Sequence, residues 1–346
     1  MNKQAYTPQK GIVITGAAGF IGSAFMPLVM SRFHDTPVYA LDALTYAGSR
    51  DNLTEFDQII KQRGCASLFS QLDITDYPSL EEFFKAHEID TVINFAAETH
   101  VDRSLARPDV FFHSNVIGTA CLLKVSRERG VRRFVQISTD EVYGPTPEGV
   151  EFNETAPLNP SSPYAASKAA ADLAVLSYVH SYNFPALIVR GTNNYGPRQY
   201  PEKVIPFFIA RALGNHALPL YGDGLHERDW IYVEDFCRGV LCALELGADG
   251  AVYNISGGAR LTNKALVKEL ICLLKKHGVT PPVITHVADR PGHDRRYRIN
   301  CEKIRALGFA PETPFSDGLA RAVNWFFEHR DRLREQVERD VILNNR

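Results

Sequence analysis

Residues 11–22 have the sequence GIVITGAAGFIG, which joins a short β-branched run to the start of a longer apolar segment. Gly16, Gly19 and Gly22 follow the predicted strand and open the predicted helix in the spacing GxxGxxG. Glycines at such a turn let it close and let the backbone approach a pyrophosphate, whose charge then faces free amides at the helix N-terminus. A plain strand-to-helix turn uses the same residues, so this pattern by itself is weak evidence for a dinucleotide site.

The next predicted strand, VYALD, ends at Asp42, twenty residues after Gly22. A carboxylate at that point accepts hydrogen bonds from a ribose 2′-hydroxyl and repels a 2′-phosphate. An acidic residue that ends a strand in a turn is the alternative for Asp42 alone. The glycine turn and the acid together predict a dinucleotide site that takes NAD rather than NADP.

The first half of the chain alternates short apolar runs with amphipathic segments. The predicted strands are GIVITG, VYALD, SLFSQLD, TVINFAA, RFVQIST and PALIVRG, and the predicted helices span residues 20–33, 78–88, 108–130 and 161–183. This alternation predicts an α/β fold, a Rossmann-type doubly wound parallel sheet.

A second, smaller domain is expected after about residue 191, where proline and glycine interrupt the pattern. Residues 1–190, with returning segments near 230–256, are assigned to the NAD-binding domain, and residues 191–229 and 257–346 to the substrate domain. The substrate domain is therefore interleaved in sequence with the NAD-binding domain.

Composition excludes several classes of function. The 38 basic and 40 acidic residues give a net charge of -2, so there is no broad positive field for nucleic acid or an anionic membrane. The six cysteines form no CxxC pair, the eleven histidines form no HExxH pair, and no metal is predicted. The first residues lack the apolar core of a secretory signal, so we expect a reduced, cytoplasmic protein.

Tyr164 and Lys168 occur in YAASK, four residues apart on a predicted helix, so their side chains project from one face. An ammonium near a phenol stabilises the phenolate and lowers the tyrosine pKa toward the working pH, which would make Tyr164 a general base. A surface pair is the alternative, because the YxxxK spacing is common.

Taken in order, GxxGxxG, Asp42, a strand ending at Thr139 and YxxxK resemble the extended short-chain dehydrogenase/reductase superfamily. Seven blocks are more specifically similar to the dTDP-glucose 4,6-dehydratases: AAETHVDRS, ISTDEVYG, SSPYAASKAAAD, NNYGPRQYPEKVIP, LPLYGDG, RDWIYVED and VADRPGHDRRY. The resemblance runs from about residue 11 to 325. It implies that this chain dehydrates a nucleotide-diphosphate glucose, with dTDP-glucose as the expected substrate.

The resemblance also implies a mechanism. Tyr164 removes the O4 proton while NAD takes the C4 hydride, with Lys168 supporting Tyr164 and Thr139 bonded to O4. Glu141 matches the base that takes the C5 proton, and Asp140 matches the acid that protonates the departing C6 hydroxyl. The hydride then returns to C6, giving a 4-keto-6-deoxy sugar. Such a division of labour requires different pKa values for two adjacent carboxyl groups.

The remaining site residues are carried over from the same blocks. The expected cofactor residues are Gly16, Gly19, Phe20, Ile21, Gly22, Asp42, Ala43, Leu44, Thr45, Asp73, Ile74, Phe95, Ala96, Ala97, Thr99, Ser114, Tyr164, Lys168 and Asn194. The expected substrate residues are Thr99, Thr139, Asn193, Lys203, Val204, Pro219, Leu220, Tyr221, Arg228, Asn263, Asp289, Arg290, Pro291, Gly292 and His293. Lys203, Arg228, Arg290 and His293 form the cationic group expected to hold the diphosphate.

Other functions remain open on the sequence alone. A UDP-glucuronate decarboxylase or a nucleotide-sugar 4-epimerase shares the fold, NAD, Tyr164 and Lys168, but neither needs Asp140 to expel a hydroxyl. A non-catalytic NAD-binding protein has no use for the whole catalytic set. The choice between dTDP and UDP is left open, and the superfamily suggests a homodimer through the helices at 108–130 and 161–183.

Overall fold

Twelve strands occur in the parts of the chain that the computed structural model describes, residues 5–64, 68–280 and 282–340. In chain order they are β1 (Gly11–Thr15), β2 (Val38–Asp42), β3 (Leu68–Gln71), β4 (Ile89–Asn94), β5 (Arg133–Thr139), β6 (Ala186–Gly191), β7 (Asn193–Tyr195), β8 (Leu218–Tyr221), β9 (Glu227–Tyr232), β10 (Val252–Ile255), β11 (Ala259–Thr262) and β12 (Ile284–Val287).

Seven of these strands form the central sheet, in the order β10-β6-β5-β4-β1-β2-β3, with every pair parallel. The chain runs outward from β1 to β3 and then returns to β4 on the other side of β1. Strands β1, β2, β4, β5 and β6 are buried along their whole length because helices cover both faces. The predicted doubly wound parallel sheet is confirmed, and its strand order reverses between β1 and β4, where such sheets bind ligands.

Thirteen α-helices accompany the strands within the same described ranges. They are α1 (Phe20–Arg32), α2 (Thr54–Arg63), α3 (Tyr77–Ala86), α4 (Val101–Ala106), α5 (Pro108–Phe112), α6 (Gly118–Glu128), α7 (Pro163–Tyr182), α8 (Val204–Leu213), α9 (Val233–Leu246), α10 (Asn263–Lys276), α11 (Glu302–Arg305), α12 (Phe315–Glu328) and α13 (Arg330–Arg339). None of those helices combines the length and apolar character that a membrane crossing requires.

The two faces of the central sheet bury separate cores because side chains alternate along a strand. Ile12 and Ile14 of β1 pack in one core with Phe25 of α1 and Phe236 of α9. Val13 points the other way, into a core that includes residues of α3, α6 and α7. Helix α9 lies against α1, and β10 pairs with β6, so the segment after β9 returns to the first sheet.

Sequence patterns missed or misjudged some elements. Helix α2 was not predicted because its sequence is polar and it buries only Phe56. The helix expected over 108–130 is interrupted by a π-helical turn at His113–Ile117. The sequence pattern also gave no boundary near the C-terminus, where two helices, α12 and α13, meet at His329. Cys65 and the first residue of SLFSQLD lie outside the described residues.

A third core holds the smaller region together. Strands β7, β9 and β11 form one small sheet, and β8 pairs with β12. Buried residues of β8, α8, α10 and α12 form its core, for example Leu218, Phe208, Leu270 and Phe326. This region places β7 and the start of α8 beside the carboxyl ends of the central strands.

Truncating Phe236 to alanine is expected to destabilise the protein by about 3–5 kcal/mol, because this large side chain is buried against β6. A Cβ on Gly191 would lie 2.3 Å from the Phe236 ring, so the ring packs directly on the backbone of β6 and its truncation removes that contact. Urea unfolding measures the change. Leu246→Ala on the same helix, at a side chain 41% exposed, is the control and should change stability by less than about 0.5 kcal/mol. Equal losses for both variants would contradict the packing argument.

Candidate active site

The carboxyl ends of the central strands open into one large cleft. Its empty volume is ≈ 1810 Å³, including open solvent at its mouth. The residues predicted for the cofactor and for catalysis that line it are Gly16, Gly19, Phe20, Ile21, Gly22, Asp42, Ala43, Thr45, Asp73, Ile74, Phe95, Ala96, Ala97, Thr99, Ser114, Thr139, Asp140, Glu141, Tyr164, Lys168 and Asn194. The predicted substrate residues Asn193, Lys203 and Val204 line it as well.

The glycine turn at the start of α1 is closely packed. Gly16 has φ +64, in the left-handed region that disfavours side chains, and a Cβ on Gly22 would lie 2.1 Å from the Gly16 carbonyl oxygen. Gly19 caps α1 without a side-chain hydrogen bond, and the first turn contains no acidic residue. No side chain of this turn therefore competes with a ligand for the free amides at the helix end, so the amides can bind an anionic group.

Asp42 and Asn194 offer acceptors along the same cleft. The Asp42 carboxylate accepts hydrogen bonds from the amides of Ala18 at 2.9 Å and Leu44 at 2.8 Å. Leu44 does not line the cleft and contributes this backbone amide, at φ 53. The buried Oδ1 of Asn194 has no hydrogen-bond partner, so it can accept one from a ligand amide. The glycine turn, the acid and this unpaired acceptor fit a dinucleotide.

Asp140 and Glu141 follow β5 directly, in a single 3-10 turn that carries both side chains into the cleft. Burial raises the pKa of Asp140 well above its usual value, and the carboxylates of Glu141 and Asp229 raise it further. Burial also raises the pKa of Glu141, but Arg290, Arg228 and Lys203 oppose that effect. The three cations therefore favour the ionised form of Glu141, whereas burial and the neighbouring carboxylates favour the protonated form of Asp140.

Tyr164 and Lys168 both line the cleft from α7, but the expected lowering of the Tyr164 pKa is wrong. Burial raises the Tyr164 pKa above its usual value of 10.0, and Glu141 raises it further. The Lys168 ammonium donates instead to the carbonyl oxygen of Ile137 at 2.6 Å, and burial lowers its pKa to about 8. A hydrogen bond from Thr139 is among the effects that lower the Tyr164 pKa.

The other predicted substrate residues do not line this cleft. They are Pro219, Leu220, Tyr221, Arg228, Asn263, Asp289, Arg290, Pro291, Gly292 and His293. Asp102 joins two of them, since it accepts hydrogen bonds from Arg290 at 3.1 Å and from the Tyr221 hydroxyl at 3.2 Å. Lys203, inside the cleft, donates to the Thr99 carbonyl oxygen at 2.7 Å. Arg290, Arg228 and Lys203 belong to three separate segments of the chain, and the charge of each acts on Glu141.

His293 differs from its expected role as a cation. Burial lowers its pKa to about 4, and the neighbouring Arg290 acts in the same direction, so the imidazole is neutral near pH 7. Its ring stacks on His226 at 3.7 Å with an angle of 11°, and Asp289 bridges the two rings at 2.5 and 3.1 Å. Nearly parallel rings do not aim their in-plane lone pairs at a common point. This geometry favours a hydrogen-bonded trio over a metal site.

Two acidic residues of the cleft were missed. Burial raises the Glu98 pKa to about 7, and the charge of Glu202 adds to it. The buried Glu202 carboxylate accepts hydrogen bonds from Arg103 at 3.1 Å and from the Tyr46 hydroxyl at 3.1 Å. Glu98 precedes Thr99 and Glu202 precedes Lys203 in blocks already singled out, so position beside a predicted site residue was the available signal.

Comparison with known proteins gives consistent matches along nearly the whole chain. A family model described as GDP-mannose 4,6 dehydratase matches residues 13–322. The dTDP-glucose 4,6-dehydratase of Streptomyces griseus is 45% identical over 322 residues, which cover 92% of this chain and 94% of that protein.

Solved structures are similar over the same length. The dTDP-glucose 4,6-dehydratase of Streptomyces venezuelae, with NAD and TYD bound, is 43% identical with a TM-score of 0.87, covering 95% of this chain and 100% of that one. A UDP-glucose 4-epimerase of Thermotoga maritima with UDP-glucose is 30% identical with a TM-score of 0.83, covering 92% and 99% of the two chains.

Proposed function

This chain belongs to the family described as GDP-mannose 4,6 dehydratase, and we propose that it converts dTDP-glucose to the 4-keto-6-deoxy sugar with NAD as its cofactor. The observation that carries this proposal is the adjacent pair Asp140 and Glu141, whose surroundings separate their proton affinities. Elimination of water needs one group to donate a proton and another to accept one at the same pH. Epimerisation and decarboxylation need no acid for a C6 hydroxyl.

The cofactor and the sugar nucleotide occupy different parts of the site in this proposal. Residues 1–190, with returning segments near 230–256, hold NAD, and residues 191–229 and 257–346 hold the nucleotide sugar, apart from Asn194, which contacts the cofactor. The amides at the start of α1 take the pyrophosphate, Asp42 takes a ribose, and Asn194 takes the carboxamide. When bound, NAD supplies a hydride acceptor for C4 and a hydride donor for C6.

The residues of the chain move the protons. The phenolate form of Tyr164 accepts the O4 proton, with Thr139 orienting the hydroxyl. Loss of the C4 hydride makes a ketone, which acidifies the neighbouring C5–H bond. Glu141 takes the C5 proton, Asp140 donates its proton to the C6 hydroxyl, and water departs as the C5–C6 double bond forms. A proton then returns to C5 as the hydride returns to C6.

The basic residues hold the diphosphate. The positive charges of Arg228 and Arg290 lower the Glu141 pKa. A guanidinium can also hold two phosphate oxygens at once. Lys203 adds a third cation inside the cleft. The cationic group for the diphosphate therefore consists of these three side chains, with neutral His293 as a hydrogen-bonding neighbour.

Purified protein incubated separately with dTDP-glucose, UDP-glucose and UDP-glucuronate, without added cofactor, tests the function. We expect the base-labile absorbance of a 4-keto-6-deoxy sugar from dTDP-glucose, because the hydride taken from C4 is returned to C6 and no cofactor is consumed. Carbon dioxide release from UDP-glucuronate, or epimerisation of UDP-glucose without a keto product, would reject dehydration in favour of the related reactions.

Replacing each carboxyl group by its amide separates their roles. Asp140→Asn should lower product formation about 10²–10⁴-fold by removing the acid, yet substrate recovered from D₂O should carry deuterium at C5, because Glu141 still exchanges that proton. Glu141→Gln should lower product formation similarly and leave C5 unexchanged. Mass spectrometry of recovered substrate gives the distinction. Exchange in Glu141→Gln but not in Asp140→Asn would reverse the assignment.

We also propose that the protein is a cytoplasmic homodimer. Phe112 in α5, Ile117 in the π-helical turn and Leu173 in α7 are apolar side chains 41%, 49% and 57% exposed on neighbouring helices. Exposed apolar groups concentrated on one set of helices suit a self-association surface. The described cysteines are all unpaired, which suits a reducing compartment.

Leu173→Glu should convert the dimer to a monomer, because the partner surface would have to bury a charge. Light scattering across a dilution series measures the molar mass. Val283→Glu, at a side chain 69% exposed outside these helices, is the matched control and should remain dimeric. A Leu173→Glu protein with unchanged mass would place the contact elsewhere.

A further inference from the structure

A buried ion pair lies beyond the wall of the cleft, on the side of α7 that carries Lys168. Asp172 follows Lys168 by four residues in α7, so the two side chains share one face of the helix. The Asp172 side chain is fully buried, and the Arg190 side chain is 3% exposed, with 2.8 Å between Nε of Arg190 and Oδ2 of Asp172. Neither residue lines the cleft and both side chains are buried, so neither can contact a ligand directly.

Lys168 needs a negative charge nearby to remain an ammonium. Its side chain is buried, and its hydrogen bond to the Ile137 carbonyl oxygen supplies a dipole rather than a full charge. Burial lowers the Lys168 pKa to about 8, and the Asp172 carboxylate opposes that effect. Without this carboxylate the ammonium would lose its proton at a lower pH.

Arg190 keeps Asp172 ionised in turn. Burial raises the Asp172 pKa, and the main opposing influence is the Arg190 guanidinium. Arg190 is held in place within the sheet, since β6 pairs it with Ser138 of β5 and Asn254 of β10. Its guanidinium lies 4.8 Å from the centre of the Tyr143 ring. The Lys168 ammonium and the Ser138 hydroxyl also lower the Asp172 pKa, so this carboxylate is within the electrostatic reach of a second cation.

We propose that Asp172 is a positioning residue for the reaction, which keeps the Lys168 ammonium charged next to Tyr164, and that Arg190 keeps Asp172 ionised. This assignment rests on the proposed function, in which Tyr164 is the base. The other charged groups that act on Tyr164 are Glu141, Asp140 and Asp172 itself, and as anions all three oppose ionisation of its phenol. Asp172 therefore supports the reaction through Lys168 and not through a direct effect on Tyr164.

The titration of Lys168 in the ligand-free protein tests this directly, independently of turnover. Lysine labelled with ¹³C at Cε is followed by NMR across pH, with Lys168→Met to assign the signal. We expect a midpoint near 8 in the wild type. Removing the Asp172 charge should lower the midpoint by about 1–3 pH units.

The variant is designed to keep the fold. Asp172→Asn alone leaves Arg190 buried without a partner, whereas the double variant Asp172→Leu/Arg190→Met replaces the pair with apolar side chains of similar size. Asp172→Glu keeps the charge and should retain a midpoint near that of the wild type. An unchanged Lys168 midpoint in the folded double variant would overturn the proposal.

Activity gives the second readout. If the wild type dehydrates dTDP-glucose, the alkaline limb of its kcat profile should move to lower pH in the double variant by the same amount as the Lys168 midpoint. If Asp172 and Arg190 had only a structural role, the alkaline limb of the folded double variant would stay at the pH of the wild type. A wild type that dehydrates none of the three sugar nucleotides would overturn the proposed function, and the Lys168 titration would still decide this assignment.

Discussion

Two adjacent carboxyl groups at the end of β5 are buried in a medium that solvates charge poorly, and the rest of the site is arranged around that constraint. Burial by itself raises the pKa of both Asp140 and Glu141. Arg290, Arg228 and Lys203 oppose that effect at Glu141, whereas at Asp140 the carboxylates of Glu141 and Asp229 add to it and Arg228 opposes it. The charges of the surrounding residues therefore favour the proton on Asp140 rather than on Glu141.

The parallel sheet makes this distribution possible because it collects the ends of distant segments at one edge. Asp42 ends β2, Asp140 follows β5, and Asn194 lies in β7 just after β6, so residues far apart in sequence line the same cleft. The switch in strand order beside β1 leaves room for an extended ligand across that edge. The smaller region then brings basic residues toward the acids from outside the sheet.

Local patterns predicted much of the fold and part of the site. The buried strands were recognisable as β-branched runs, and the glycine turn, Asp42 and the Tyr164–Lys168 spacing depend on residues close together in the chain. Helix α2 was missed because it is largely polar and exposed. Glu98 and Glu202 were missed because their importance comes from burial beside each other, and no sequence pattern reports that proximity.

The sequence by itself determined which chemical groups are present and how neighbours in the chain are oriented, because strand and helix periodicities set those relations locally. Only the tertiary structure decided their protonation. Burial raises the pKa of Tyr164 and leaves His293 neutral, and it leaves the Lys168 ammonium dependent on Asp172. Desolvation and long-range charge arise only when separate segments pack together, so residue type and spacing do not contain them.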